Sequence, residues 1–152
     1  FPTRRSSDLQ SLLGWRCVDA FAGTGALGLE AASRGATQVQ LCEQEAGLVH
    51  QLKAQVERLQ ATTVQVQRTD GVAFLKQLRS ASVDLIFLDP PFDSVLFESA
   101  LQAAAKAVKP DGWVYLEAPV VWTDEALAPL GLQQHRHLKA GTVHAHLLRR
   151  IA

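Results

Sequence analysis

The sequence predicts an α/β fold, with a mostly parallel seven-stranded sheet, helices on both faces and a C-terminal antiparallel hairpin. Short strand-like segments alternate with segments of helical periodicity, which is the pattern of a parallel sheet with right-handed crossovers. Two further strand-like segments joined by a short turn end the chain, as in a hairpin. The chain has 152 residues, 47% of them apolar, which is enough for the core of one domain.

The first half of the chain contains three predicted strands and three predicted helices. Residues 17–21 are a short apolar run that stops at a glycine-rich turn, residues 22–28, and Gly35 ends the helix that follows. Residues 38–43 alternate like a strand, and apolar positions recur at helical spacing over 45–60. A β-branched strand at 62–67 and a short helix at 72–79 complete this half.

The second half repeats the alternation and then turns back. Residues 83–88 are a near-continuous apolar run, as expected for a strand buried on both faces. A helix follows at 97–108, then a turn at 110–112 and a strand at 113–117. The last predicted elements are a helix capped by Asp124 and a hairpin of strands 132–139 and 142–150 that turns at Ala140 and Gly141.

Composition excludes several classes of protein. The 15 basic and 15 acidic residues give no net charge, whereas a chain that grips nucleic acid by electrostatics alone is usually basic. No apolar run approaches the roughly 18 residues that cross a bilayer. The two cysteines cannot form a disulfide framework and are typical of reduced thiols, so we expect a cytoplasmic protein.

Residues 1–9 differ in character from the rest. They match the translation of a common sequencing-library adapter, so we expect them to be non-native; a native basic arm is the alternative. Residues 10–152 then form a single expected domain, without an internal repeat or linker.

Polar or glycine residues follow four of the predicted strands. They are the segments 19–28, 43–44, 70–71 and 89–92. Because ligands of open α/β sheets bind beyond the carboxyl ends of the strands, we expect these segments to line one cleft.

The glycine turn has the pattern Gly-x-Gly-x-x-Gly at Gly23, Gly25 and Gly28, between a strand and a helix. The pattern allows a ligand to approach the backbone, although a tight strand–helix turn without a ligand would look the same. Asp19 comes just before it. A carboxylate there would repel a pyrophosphate but suits an ammonium and a sulfonium, which favours S-adenosylmethionine over a nicotinamide dinucleotide.

Two more acidic residues end strands. Glu43 can accept hydrogen bonds from both hydroxyls of a ribose, or it can be a solvated charge. Asp70 can accept a hydrogen bond from an adenine amino group, can cap the following helix, or can do both.

The segment 89–92 (Asp-Pro-Pro-Phe) gives the strongest local signal. Two prolines fix the backbone, so that a carboxylate and a carbonyl can accept both hydrogen bonds of an exocyclic amino group. Accepting these bonds orients the nitrogen lone pair for attack on a methyl sulfonium. Phe92 offers a face on which a base can stack, although a proline-rich strand exit with a core Phe is the alternative.

Three segments together resemble one known family. The run 19–30 (Asp-Ala-Phe-Ala-Gly-Thr-Gly-Ala-Leu-Gly-Leu-Glu), Glu43 and 89–92 resemble the RsmD family, the 16S rRNA (guanine-N2)-methyltransferases. The resemblance covers about residues 12–150, and 139–143 is similar to the family's C-terminal strands. Members of this family begin with a basic segment and a helix. In this chain, only residues 12–15 resemble part of that region, namely the end of the helix. We therefore expect this chain to bind RNA poorly.

The resemblance implies a Rossmann-like class I methyltransferase fold, S-adenosylmethionine as methyl donor, and a guanine of 16S rRNA in the small ribosomal subunit as acceptor. We expect a monomer without a metal. The candidate cofactor-binding residues are Asp19, Phe21, Gly23, Gly25, Glu43, Gln44, Asp70 and Gly71. The candidate catalytic residues are Asp89, Pro90, Pro91 and Phe92.

Other functions remain open from the sequence. The Asp-Pro-Pro-Phe arrangement serves any exocyclic amine, including adenine N6, and the glycine turn also occurs in NAD-dependent oxidoreductases. A non-catalytic cofactor-binding remnant is a third alternative. The pairs His135/His137 and His144/His146 are each expected on one face of a strand, where four imidazoles could hold zinc or simply form an exposed basic hairpin face.

Overall fold

The computed structural model describes residues 11–92 and 95–151. Its seven strands form one sheet in the order β3-β2-β1-β4-β5-β7-β6. The first five pair in parallel, and β7 pairs antiparallel with both β5 and β6. The strands are β1 Arg16–Asp19, β2 Gln38–Glu43, β3 Val64–Arg68, β4 Val83–Leu88, β5 Val108–Ala118, β6 Leu132–Ala140 and β7 Val143–Arg150.

Five α-helices connect the strands. They are α1 Ala26–Ser33, α2 Ala46–Arg58, α3 Gly71–Gln77, α4 Phe97–Ala107 and α5 Asp124–Leu127, the last continued by a 3₁₀ turn at Ala128–Leu130. None of the helices within the described ranges is long and apolar enough to span a membrane.

The sheet has a core on each face, because its central strands are buried on both sides and present apolar residues to both. On one face, Leu41, Phe87 and Tyr115 pack with α1 and α2. On the other, Ile86 and Leu116 pack with α3, α4 and α5. The predicted α/β architecture, with helices on both faces and a C-terminal antiparallel hairpin, is therefore confirmed.

Several predicted boundaries are wrong, each for a local reason. β1 ends at Asp19 rather than at residue 21, since Phe21 already belongs to the turn. The predicted turn at 110–112 lies inside β5, as an irregularity opposite Asp84 that shifts the pairing between β4 and β5. The Thr123 hydroxyl, not Asp124, caps α5, because it accepts the Ala126 amide at 3.3 Å while Asp124 instead accepts the Gln134 amide at 2.8 Å.

Candidate active site

A cavity of about 430 Å³ opens at the carboxyl edge of the parallel strands. A volume of this size is within the range of small-molecule sites. It lies over the turn after β1, the end of β2 and the segment after β4, as the sequence predicted. The lining residues are Ala20, Phe21, Gly23, Glu43, Gln44, Thr69, Asp89, Pro90, Pro91 and Phe92.

Glu43, at the end of β2, is held by backbone amides. Its Oε1 accepts a hydrogen bond from the Gly23 amide at 2.9 Å, and its Oε2 accepts from the Gln44 and Glu45 amides at 3.0 Å each. The side chain is therefore fixed before any ligand arrives, and it is not the freely solvated charge that the sequence left open. Oε1 keeps a lone pair for a further donor.

The turn after β1 depends on a left-handed backbone at its glycines. Gly23 has φ 54° and Gly25 has φ 84°, a region in which residues with a Cβ are strained. Gly25 precedes the first residue of α1 and is buried rather than lining the cavity. Of these two glycines, Gly23 is therefore the one that lines the cavity.

Asp19, the last residue of β1, lies beneath this turn and is only 2% exposed. Its Oδ1 accepts a hydrogen bond from the Phe21 amide at 3.3 Å. Burial raises the pKa of this carboxyl to about 7, and the nearby Asp89 and Glu43 charges act in the same direction. Asp19 is therefore part of the floor under the turn and does not itself line the cavity.

Asp70 and Gly71 start α3 beside the cavity, where Thr69 is the lining residue. The Asp70 Oδ1 accepts hydrogen bonds from the Val72 and Ala73 amides at 2.9 and 3.3 Å, which confirms the helix-cap alternative. Gly71 lets the backbones of α3 and β1 approach closely, because a Cβ there would lie 1.8 Å from the Ala20 carbonyl oxygen.

The Asp-Pro-Pro-Phe segment forms a second part of the cavity lining, beside the part that contains Glu43. Pro90 is buried and Pro91 is exposed, and the Phe92 side chain is 43% exposed, so the interpretation of Phe92 as a core residue is wrong. Asp89 is half-buried. Burial, together with the adjacent Glu117, raises the pKa of its carboxyl to about 6.

Two residues of β5 belong to this site although the sequence did not predict them. The Tyr115 hydroxyl donates a hydrogen bond to the Glu117 Oε1 at 3.0 Å, and Glu117 in turn contacts Asp89. The available signal was an acidic residue within the otherwise apolar run 113–118, because charged residues are rarely buried without a partner.

Of the four C-terminal histidines, His137, His144 and His146 lie together, and His135 lies apart from them. A register shift between Gln134 and Arg136 turns His135 toward Trp113, with ring centroids 5.0 Å apart, and away from His137. The expectation that His135 and His137 share a face is therefore wrong, since a bulge breaks the alternation of side chains along a strand. His144 and His146 do share a face, 6.4 Å between centroids.

His146 is fully buried and makes two hydrogen bonds. Its Nε2 accepts the Trp122 amide at 3.0 Å, so its Nδ1 carries the proton and donates to the Leu116 carbonyl at 3.3 Å. Burial lowers the pKa of this imidazole. Within residues 11–92 and 95–151, no three His, Cys, Asp or Glu side chains are arranged to hold a metal ion.

The sheet order, the reversed last strand and the cleft over the glycine turn define a class I methyltransferase fold. The profile of a family described as conserved hypothetical protein 95 matches residues 7–149. Ribosomal RNA small subunit methyltransferase D of Escherichia coli is 32% identical over 142 residues, covering 90% of this chain and 69% of that protein. The chain belongs to this methyltransferase family.

Other comparisons agree. The protein of the same name from Buchnera aphidicola is 36% identical over 104 residues, and the match covers 67% of this chain but only 54% of that protein. A solved structure of a candidate methyltransferase from Escherichia coli has a TM-score of 0.81 at 31% identity, covering 93% of this chain and 78% of its own. A candidate methylase from Haemophilus influenzae has a TM-score of 0.80 at 27% identity, covering 95% and 91%.

Proposed function

We propose that the chain is an S-adenosylmethionine-dependent RNA methyltransferase that modifies the exocyclic N2 of a guanine in 16S rRNA. The names of its relatives support rRNA of the small subunit as the substrate class. The Asp-Pro-Pro-Phe wall of the cavity supports an amino group as the acceptor. The partner is then the small ribosomal subunit or its precursor, with the enzyme acting as a monomer in the cytoplasm.

The observation that carries the proposal is the charge of the cavity. Its lining residues, all within the described ranges, include the carboxyls of Glu43 and Asp89 and no Lys or Arg. Asp19 adds a third carboxyl beneath the glycine turn. Carboxylates attract a cationic ligand and repel a pyrophosphate, which favours S-adenosylmethionine over NAD.

The chain's residues fit this cofactor. S-adenosylmethionine supplies, when bound, a methyl group on a cationic sulfonium sulfur. We assign Glu43 to the ribose hydroxyls, because its carboxylate is fixed at the edge of the cavity. The turn formed by Gly23 and Gly25 lets the ligand approach the backbone closely at Gly23, and Phe21, Gln44 and the start of α3 at Asp70 and Gly71 complete the binding region.

The acceptor side is formed by the segment after β4. The Asp89 carboxylate and a backbone carbonyl each accept a hydrogen bond from the amino group. Pro90 and Pro91 keep the backbone fixed in that geometry. The exposed face of Phe92 stacks on the base. The amine attacks as a neutral group and loses its proton only after the new nitrogen–carbon bond has formed.

Two measurements test the proposal. Calorimetry should detect binding of S-adenosylhomocysteine and none of NAD. Incubation with S-adenosylmethionine and small ribosomal subunits that lack this methylation, followed by nucleoside mass spectrometry, should yield N2-methylguanosine. The Asp89→Asn variant is the matched inactive control. Binding of NAD alone would overturn the cofactor assignment, and N6-methyladenosine as product would overturn the guanine assignment while keeping the class of enzyme.

A further inference from the structure

Glu117 lies next to Asp89 because their strands are adjacent. Leu88 of β4 pairs with Leu116 of β5, so the residues that follow them, Asp89 just after β4 and Glu117 within β5, lie side by side. Their carboxyl groups are close enough to interact with each other. Since an ionised carboxylate only accepts hydrogen bonds, the two carboxyls can bond to each other only when one of them carries a proton.

Tyr115 fixes the orientation of Glu117. The Tyr115 side chain is only 6% exposed, and its hydroxyl donates to the Glu117 Oε1 at 3.0 Å. Its ring makes an edge contact with Phe87, with centroids 6.0 Å apart. Glu117 is therefore held by a buried donor on one side and by Asp89 on the other.

Asp89 lines the cavity, whereas Glu117 and Tyr115 are not among its lining residues. The three side chains form a chain of contacts that runs from the cavity wall into β5. Glu117 itself is half-buried.

We propose that Glu117 is a positioning residue for the methyl transfer, which orients the Asp89 carboxyl toward the acceptor amine and shares the proton that the amine releases. This inference rests on the proposed function. It adds a role for a residue outside the cavity, through its contact with Asp89.

The proton balance of the step is simple. The nitrogen lone pair forms the bond to the methyl carbon, and the carbon–sulfur bond breaks with its electron pair remaining on sulfur. The nitrogen then carries a positive charge and gives one proton to the Asp89 carboxylate. The new Asp89 O–H donates to Glu117, so the two carboxyls share the proton.

The pH dependence follows from the groups that face Asp89. These are Glu117 and Tyr115 from β5 and Asp19 from β1. Burial and the Glu117 charge raise the pKa of Asp89 to about 6. Below that pH the carboxyl is protonated and no longer accepts the amine, so activity should fall as the pH drops through about 6 and stay level above it. Removal of the Glu117 charge should move this fall to lower pH.

The test follows the titration of Asp89 by NMR, with ¹³C-labelled aspartate and the signal assigned through Asp89→Asn. In Glu117→Gln, the midpoint should fall by about one pH unit, and the acid limb of kcat/KM should move with it. Glu125→Gln, at an exposed site on α5, is the control with the same charge change and should leave both midpoints unchanged.

The outcomes separate this inference from the proposed function. An unchanged Asp89 midpoint in Glu117→Gln overturns the role of Glu117, whether or not the protein methylates RNA. If that variant does not fold, Tyr115→Phe replaces it, and it should lower kcat several-fold while leaving S-adenosylhomocysteine affinity unchanged. If Tyr115→Phe has the same kcat as the wild type, the positioning role of Glu117 is contradicted. If the wild-type protein does not methylate RNA, the proposed function is contradicted.

Discussion

The Glu43 Oε1 atom accepts a hydrogen bond from the Gly23 amide at 2.9 Å. This bond joins the end of β2 to the glycine turn after β1. The other carboxylate oxygen accepts the amides that lead into α2. One side chain thereby sets the relative position of two adjacent strand ends at the cavity.

Replacement of Glu43 by alanine should weaken S-adenosylhomocysteine binding by about 1.5–3 kcal/mol, or about 10- to 150-fold, the scale of a hydrogen bond to a charged group. The variant should lose both the proposed ribose contact and the observed anchor of the turn. Calorimetry measures the change, and Glu57→Ala, at an exposed site on α2, is the control. Unchanged affinity would mean that Glu43 serves the turn alone.

Replacement of Asp89 by asparagine should lower kcat/KM for methyl transfer by at least about 100-fold, with cofactor affinity within about twofold of wild type. The variant should lose the proposed charged acceptor for the amine and keep the proposed ribose contacts of Glu43. Radiolabelled methyl transfer to small ribosomal subunits measures the effect.

Asp111→Asn is the matched control for that experiment. Asp111 is exposed, forms an ion pair with Arg149 at 3.5 Å and has φ 64°, a conformation that asparagine tolerates. It should retain wild-type activity. A comparable loss of cofactor affinity in Asp89→Asn would instead place Asp89 in the cofactor site.

Asp19 should make the folded protein less stable as the pH rises. Its pKa is about 7 in the folded state, compared with 3.8 for an unperturbed carboxyl, so the folded state favours the protonated form. The contribution of Asp19 to the free energy of unfolding is fully present below pH 3.8 and is lost as the pH rises through about 7.

The Asp19→Asn variant should therefore be more stable than wild type at pH 8, by about 1–3 kcal/mol in the free energy of unfolding, with a smaller difference at pH 5. Its affinity for S-adenosylmethionine should fall, because a negative charge near the cation is removed. Urea unfolding at the two pH values and calorimetry measure these effects. If the variant is less stable than wild type at pH 8, other contacts in the folded protein must offset the cost of burying the Asp19 carboxylate.

Replacement of Gly71 by alanine should lower the free energy of unfolding by about 3 kcal/mol, because the added Cβ would overlap the Ala20 backbone and force α3 away from β1. Thermal unfolding measures the loss. Gly47→Ala, where a Cβ would meet only the flexible Glu45 side chain, should be neutral or slightly stabilising. Equal stability of both variants would contradict the close approach at Gly71.

Local sequence was sufficient for the cleft. Three of the four segments that follow predicted strands line the cavity, and the fourth, 70–71, lies beside it next to Thr69, since the carboxyl ends of parallel strands coincide there. The helix-cap role of Asp70 also depends only on neighbours in the chain, and it was predicted correctly.

Contacts between distant segments were the part that the sequence did not specify. The adjacency of Asp89 and Glu117 depends on how β5 pairs with β4, 28 positions apart in the chain. The separation of His135 from His137 depends on a bulge that forms when β6 pairs with β7.

The sequence by itself determined the alternation of strands and helices, the position of the cleft and most of its lining, because hydrophobic period, glycine turns and prolines act over a few residues. Only the tertiary structure decided strand register, and with it the burial of Asp19 beneath the turn and the chain of contacts from Asp89 through Glu117 to Tyr115. Register is set by packing and pairing across the whole sheet, and a shift of one residue exchanges the two faces of a strand.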